Sequence, residues 1–402
     1  MILGVNIRNF DAFEDDTIGL MIEDSAQYAG KDASERGIRL RNLNALIGRN
    51  NTGKSAFIRA LSFVKRCILS DVAKASTSDN RPGFMNLLID KEKPAVFRIF
   101  FRIRDRETGK SDFLQYELTI GASSYGSPIV TDEKVLASVK KEDGIGIEEI
   151  FTNSVDARLI SDERIPALGV LGRLNGSDEA IRLVYEEING WFFCAFSAEE
   201  SSDYFSAGNA PGAHKHLNSE GSNVGNVLDY IKSLGDDIYD QLIEDINAKI
   251  PTVHKKKKHL PQNLQGSPEK LFKYLLLLRD PAPKTTIFIE TPDRDLYHDM
   301  VDVLADEMRD FTLLNPYSQI IFSTHNPYIV ETMSPKEIWV FSRDYDEDAD
   351  EESEDVKIRC AGADPVVMAL FEQGVGMGAI WYGGHLDQGS SEYDDEGMNN
   401  AH

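Results

Sequence analysis

The chain has 402 residues, a formal net charge of −24 and 41% hydrophobic residues. A chain of this length holds two or three domains or one large discontinuous one, and its acidic excess repels phosphate backbones, so nucleic-acid contact would need a local basic patch. Cys67, Cys194 and Cys360 are too widely spaced for a disulfide framework or a zinc pattern, the N-terminal stretch has no signal-peptide features, and no run of about 18 apolar residues occurs, so the expectation is a soluble cytosolic protein.

Taken in chain order, residues 1–47 read as two or three strands. Ile2, Val5 and Ile7 open one, Ile18–Ile22 form another, and Leu43, Ala45, Leu46 and Ile47 form a buried one. Next comes Gly48-Arg49-Asn50-Asn51-Thr52-Gly53-Lys54-Ser55, a complete GxxxxGK[ST] phosphate loop, and Ala56, Ile58, Leu61 and Val64 then open an amphipathic helix over residues 56–70. Strand, loop and helix in this order surround a polyphosphate with backbone N–H groups and a positive helix end. The motif therefore implies ATP or GTP, cradled by Gly48, Asn50, Asn51, Thr52, Gly53, Lys54, Ser55 and Ala56. Lys54 would neutralise the β- and γ-phosphates and Ser55 would ligate Mg²⁺.

A β-rich stretch follows, with strands expected at Val96–Arg104, Phe113–Ile120 and Ile129–Val139 and turn signals between them, the pattern of an antiparallel meander. Arg98, Arg102, Arg104 and Arg106 occupy even positions and would share one face with Phe100. That face is either the wetted side of the sheet or a cationic stripe for a phosphate backbone or an acidic partner. Helices are expected at Asp178–Trp191 (apolar stripe Ile181, Val184, Ile188, Trp191), Val224–Leu234 and Asp237–Ile250. Lys255–Lys258 form a compact basic loop, either solvated or touching nucleic acid.

Thr285–Glu290 is a buried-strand pattern ending in a carboxylate, the place where an acid faces Mg²⁺ in a phosphate-loop protein. Gln319–Phe322 is another apolar strand, running into Ser323-Thr324-His325-Asn326-Pro327. A lone histidine there would be a packed or surface group; beside a phosphate loop and an acid strand it is a candidate γ-phosphate contact. Asp344–Asp355 reads as an acidic, extended loop, and the tail beyond Gly383 is polar.

Together these stretches resemble the ABC-type ATPases of the RecF, SMC and overcoming-lysogenization-defect group, AAA-like proteins that include phage-defence ATPases. The resemblance covers most of residues 1–345. It rests on Ile7-Arg8-Asn9-Phe10, the loop Gly48–Ser55, Gly221–Leu228, the Walker B stretch Ile287–Leu296, Ser323–Tyr328 and the last core strand Ile338–Arg343. It implies a homodimer of facing heads sandwiching ATP and Mg²⁺, with Ser55 and Glu290 on the metal and His325 on the γ-phosphate. Leu264–Lys270 would carry the signature, with Ser267 reaching a γ-phosphate across the dimer, although the Leu-Ser-x-Gly-Glu order is not reproduced. Where relatives place a water-orienting Glu directly after the metal acid, this chain has Thr291, then Pro292 and Asp293; a threonine hydroxyl can hold a water but is a poor proton acceptor, and Asp293 would replace the missing acid only if the turn at Pro292 brings it round, so hydrolysis is expected to be slow.

The expected fold is an α/β ABC-ATPase-like head: a mixed or parallel sheet core with an antiparallel meander and an inserted helical subdomain. The parts would be an N-terminal lobe (1–177), the insertion (178–260), a C-terminal lobe (261–345) and an acidic loop with a C-terminal extension (346–402). About 60 residues follow Arg343 and show no metal-ligand cluster of the Toprim nuclease kind. The expectation is thus an ATP-gated switch or scaffold in anti-phage defence, acting with a separately encoded effector and touching no membrane. The alternative is a RecF-like DNA-repair ATPase contacting duplex DNA through Arg98, Arg102, Arg104 and Lys255–Lys258.

Overall fold

A computed structural model describes residues 1–27, 38–77, 83–104, 111–141, 144–156, 158–174, 176–197, 215–251, 264–346 and 351–386. Arg106 and Lys255–Lys258 lie outside them. The molecule is mixed α/β, with one antiparallel and one largely parallel six-stranded sheet.

The antiparallel sheet has strands β1 (Ile2–Phe10), β2 (Phe13–Gly19), β4 (Ala95–Arg104), β5 (Ser111–Ala122), β6 (Pro128–Lys141) and β7 (Gly144–Ser154), in the order β2-β1-β4-β5-β6-β7. The second sheet has β3 (Leu43–Ile47), β8 (Trp191–Cys194), β9 (Thr286–Glu290), β10 (Gln319–Ser323), β11 (Ile338–Asp346) and β12 (Glu351–Cys360), in the order β12-β11-β3-β10-β9-β8. All its neighbours pair in parallel except β11 and β12. Side chains alternate across a strand, and here both faces are covered, as a parallel sheet requires. Leu46, Phe288, Ile321 and Phe341 point into one core, while Ala45, Ile47, Ile287, Ile289, Ile320 and Phe322 point into the other.

The first core lies between the two sheets and is filled by helix α2 (Lys54–Leu69), which follows the short α1 (Ile22–Gln27). Phe63 of α2 lies 4.9 Å from Phe10 of β1, and Phe57 lies 6.2 Å from Phe341 of β11, so one helix is wedged between both sheets. Short helices α3 (Val72–Thr77) and α4 (Ala167–Leu171) and helix α5 (Glu179–Asn189) complete this layer. The second core is built from α6 (Val224–Leu234), α7 (Asp236–Lys249), α8 (Ser267–Leu278), α9 (His298–Leu314) and the C-terminal α10 (Pro365–Glu372) and α11 (Met377–Tyr382). Gln319 ties the sheets at one end: its amide accepts from Ile2 N–H and donates to Ile2 C=O, both at 2.9 Å.

Several elements differ from the reading of the sequence. The strand expected at Ile18–Ile22 ends at Gly19, whose φ of +82° breaks the extended run before α1 begins. Trp191 ends no helix; Gly190 stops α5, and Trp191 starts β8 with its ring 5.6 Å from Phe288. The acidic stretch is not a plain loop, since residues on both sides of it belong to the β11–β12 hairpin. The arginine face is also less open than its period implied. Phe100 is fully buried against Met1, Leu3, Leu20 and Ile22, and Arg98 faces Glu117 at 3.7 Å and Glu23 at 3.9 Å.

Candidate functional site

The ends of three parallel strands define the site. Ser323 of β10 pairs with Leu46 of β3 on one side and with Glu290 of β9 on the other. Glu290 thus lies two strands, about 10 Å, from the strand that feeds the phosphate loop. All three strands end in turns on the same edge, which brings Gly48–Ser55, Glu290 and the Thr324–His325 turn together.

The loop has the backbone of a phosphate cradle. Gly48 (φ +137°) and Gly53 (φ +98°) hold conformations that side chains disfavour, and exposed Asn51 sits at φ +62°. A Cβ on Gly48 would lie 2.0 Å from the Phe341 carbonyl oxygen, so β11 presses directly on the loop; Val356 of β12 closes over Gly53. Thr52 Oγ1 donates to the Arg49 carbonyl at 2.9 Å. Lys54 is 4% exposed, and its Nζ donates to the carbonyls of Gly48 (2.9 Å) and Arg49 (2.5 Å) and to Thr52 Oγ1 (3.3 Å). These acceptors are all neutral, and burial pushes the ammonium pKa down to about 8. A desolvated cation held only by dipoles, above a helix N-terminus and between two left-handed glycines, fits an anion such as a polyphosphate. Ser55 is half-buried at the start of α2, Ala56 is buried behind it and Asn50 is exposed.

His325 joins this cradle. Its ring is hydrogen-bonded to the Gly48 backbone and lies near the Lys54 ammonium; burial first, and then that charge, lower its pKa. Thr324 N–H donates to Leu46 C=O at 3.0 Å, which fixes the histidine turn to β3.

The turn after β9 is strained. Thr291, a β-branched residue, sits at φ +43° and Asp295 at φ +62°. Thr291 N–H is anchored on Ser323, 3.1 Å from its carbonyl and 3.2 Å from its Oγ. Asp293 is turned inward: its carboxyl accepts from the Thr324 side chain, its Oδ1 is buried with no hydrogen-bond partner, and burial raises its pKa. The N-terminus of α8 docks on the same turn. Ser267 Oγ donates to the Asp295 carbonyl, and buried Lys270 donates to the Arg294 carbonyl at 2.6 Å, its pKa pushed down to about 8 by burial. The Ser267 hydroxyl therefore braces the Thr291–Asp295 turn within the same chain. The sequence reading missed Lys270, although a lysine among apolar residues at the start of a buried helix was a usable signal.

Asn9, part of the Ile-x-Asn-Phe stretch, is structural. Its side-chain amide donates to the carbonyls of Asp90 and Lys93, both at 2.8 Å, and accepts from Asp90 N–H at 2.7 Å. Among the described residues no helix is long and apolar enough to cross a membrane, and no cluster of three or more His, Cys, Asp or Glu side chains forms a ready metal site.

Similar solved structures include an SMC head domain from Thermotoga maritima, with a TM-score of 0.41, 12% identity and coverage of 89% of this chain and 98% of that one. Another is an Smc head domain with an extended coiled coil bound to the C-terminal domain of ScpA, derived from Pyrococcus furiosus (TM-score 0.44, 11% identity, 92% and 98% covered). A third is an SmcHead bound to the C-winged helix domain of ScpA (TM-score 0.44, 11% identity, 89% and 96% covered). No curated protein matches the chain significantly. The family model described as "AAA domain, putative AbiEii toxin, Type IV TA system" matches residues 43–331, from the strand that feeds the phosphate loop to the turn beyond His325. That match spans well over half of the sequence, and the protein belongs to this family of AAA-type ATPase domains.

Proposed function

We propose that the protein binds ATP with Mg²⁺ in the Gly48–Ala56 cradle, hydrolyses it slowly, and works in the cytoplasm as a dimeric nucleotide-gated switch in anti-phage defence. Helices α6 and α7, within the insertion expected at residues 178–260, form its helical subdomain, while α5 and β8 belong to the sheet layers, and a separately encoded effector reads its state. The observation that carries the nucleotide site is buried Lys54, which donates to the uncharged oxygens of Gly48, Arg49 and Thr52 while His325 sits on the same loop.

In this reading Lys54 and the loop N–H groups bind the phosphates, and His325 contacts the terminal one. Ser55 and Glu290 would hold Mg²⁺, which when bound neutralises the polyphosphate. Thr291 orients the attacking water through its hydroxyl but is a weak proton acceptor, and Asp293 is engaged with Thr324. Lack of a general base typically costs about 10²–10⁴-fold in rate, which supports slow turnover. Ser267 reaches the γ-phosphate of the facing subunit only after leaving the Asp295 carbonyl, so its present bond supports a resting state.

The toxin–antitoxin wording of the matched family supports a defence setting with a second gene product. The competing DNA-clamp reading loses Arg98, which faces two carboxylates. An ATPase assay of the wild type, Lys54→Ala and Thr291→Glu tests the site. Lys54→Ala is expected to abolish turnover and Thr291→Glu to be no slower than wild type. A marked loss in Thr291→Glu would mean that the water-orienting position is misassigned. Co-purification with the product of a neighbouring gene tests the effector, and DNA cleavage by this chain alone would defeat that part.

A further inference from the structure

A cavity of ≈ 980 Å³ opens at the end of the parallel sheet opposite the phosphate loop. Thr285 and Ser318, which line it, precede β9 and β10, whereas Glu290 and Ser323 end those strands. Five residues rising about 3.3 Å each separate the two sites by roughly 17 Å.

The cavity walls are cationic in a chain of net charge −24. Arg102, Arg104, Arg182 and Lys284 line it, against the carboxylates Glu186 and Glu187. Both carboxylates are already engaged, Glu186 with Arg182 at 3.0 Å and Glu187 with the Met1 ammonium at 2.9 Å. Among the described residues, no carboxylate lies within ion-pair distance of Arg102 or Lys284. Lys284 instead repels the ammonium of Lys65, and Arg102 repels the neighbouring Arg39. An excess of like charge around a cavity raises the local concentration of an anion.

Two further features shape the site. Tyr317 is 52% exposed, with the Arg104 guanidinium 4.6 Å over its ring, a surface on which a planar group can stack. His216 is held by Asp280 at 2.6 Å, which fixes its imidazole on the cavity wall. The volume is that of a small-molecule site, and planar guanidinium groups match phosphate oxygens.

We propose that this cavity is a second anion site, separate from the phosphate loop, which takes a small polyphosphate such as a nucleoside diphosphate, gripped by Arg102 and Lys284. The site does not depend on the reading of the phosphate loop.

The test is calorimetry on full-length Lys54→Ala, which silences the loop, with inorganic pyrophosphate as the first probe and a nucleoside diphosphate as the second. One saturable site is expected, weakened at least about tenfold by Lys284→Ala and by Arg102→Gln, since each removes a charge-assisted contact. Melting curves confirm that both variants are folded. Tighter binding of the nucleoside diphosphate than of pyrophosphate would place its base at Tyr317; equal binding would assign the site to phosphate alone, and both results uphold it. Absence of saturable binding, or binding indifferent to both substitutions, overturns the proposal and leaves the loop assignment intact. So does binding only of a long oligonucleotide with a steep salt dependence.

Discussion

Replacing Gly48 by alanine probes the phosphate loop where its geometry is tightest. The new Cβ would lie 2.0 Å from the Phe341 carbonyl oxygen, a backbone atom that moves only if β11 moves. The position also sits at φ +137°, where a side chain costs about 1–3 kcal/mol. Overpacking against fixed backbone adds about 1–3 kcal/mol, so about 2–6 kcal/mol must be relieved, about 3–4 near the middle of that range. The loop is the free partner, because β11 is held between β3 and β12. If the loop absorbs the whole strain, nucleotide affinity falls about 100- to 1000-fold. Titration of a fluorescent ATP analogue measures this, with a thermal melt run in parallel to catch any share that appears as lost stability. An affinity within threefold of wild type together with an unchanged melt would refute the argument that β11 clamps the loop.

Three other outcomes follow from the same geometry. Lys54 titrates near 8 in the free protein, and bound phosphate favours its ammonium form; nucleotide affinity should therefore fall as pH rises above about 8, with proton uptake on binding visible as buffer-dependent calorimetric heats. Asp16 has its pKa raised to about 6, chiefly by burial, so its folded form binds the proton more tightly than the unfolded chain; stability from this group is complete below about pH 4 and is lost as pH climbs through 6. Asp16→Asn should accordingly stabilise the protein by about 1 kcal/mol at pH 7, after discounting for solvent screening, and by nothing at pH 4, as denaturant midpoints at the two pH values would report. Glu133 is buried and accepts from Tyr116 Oη (2.8 Å), Ala167 N–H (2.6 Å) and Leu168 N–H (3.0 Å); Glu133→Ala leaves these donors unmatched and should cost about 3 kcal/mol or more in chemical denaturation.

Much of the nucleotide site was legible in the chain because its chemistry is local. The spacing of Gly48, Gly53, Lys54 and Ser55 is set by a single turn of backbone around an anion, and the strand before it and the helix after it fall where the pattern puts them. The ends of β9 and β10, where Glu290 and the turn of His325 fall, were legible by the same logic, since an apolar run with a polar residue at its end marks the edge of a buried strand. β8 escaped because a four-residue aromatic strand directly after a helix has no period of its own; only Gly190 and the run Trp191-Phe192-Phe193 hinted at it. The hairpin through the acidic stretch escaped because charge density argues for solvation, whereas pairing with β11 is a long-range fact.

The sequence alone determined where the loop with phosphate-binding spacing lies and which residues form it, since neighbours along the chain supply all of them. It could not determine what surrounds that grip. The clamp of Phe341 on Gly48, the contact of His325 with the loop, the docking of Lys270 under the strained Thr291 turn and the cationic cavity at the far strand ends all join segments far apart in the chain. Such contacts arise from packing two sheets around one helix, and no local preference encodes which distant backbone will meet which side chain.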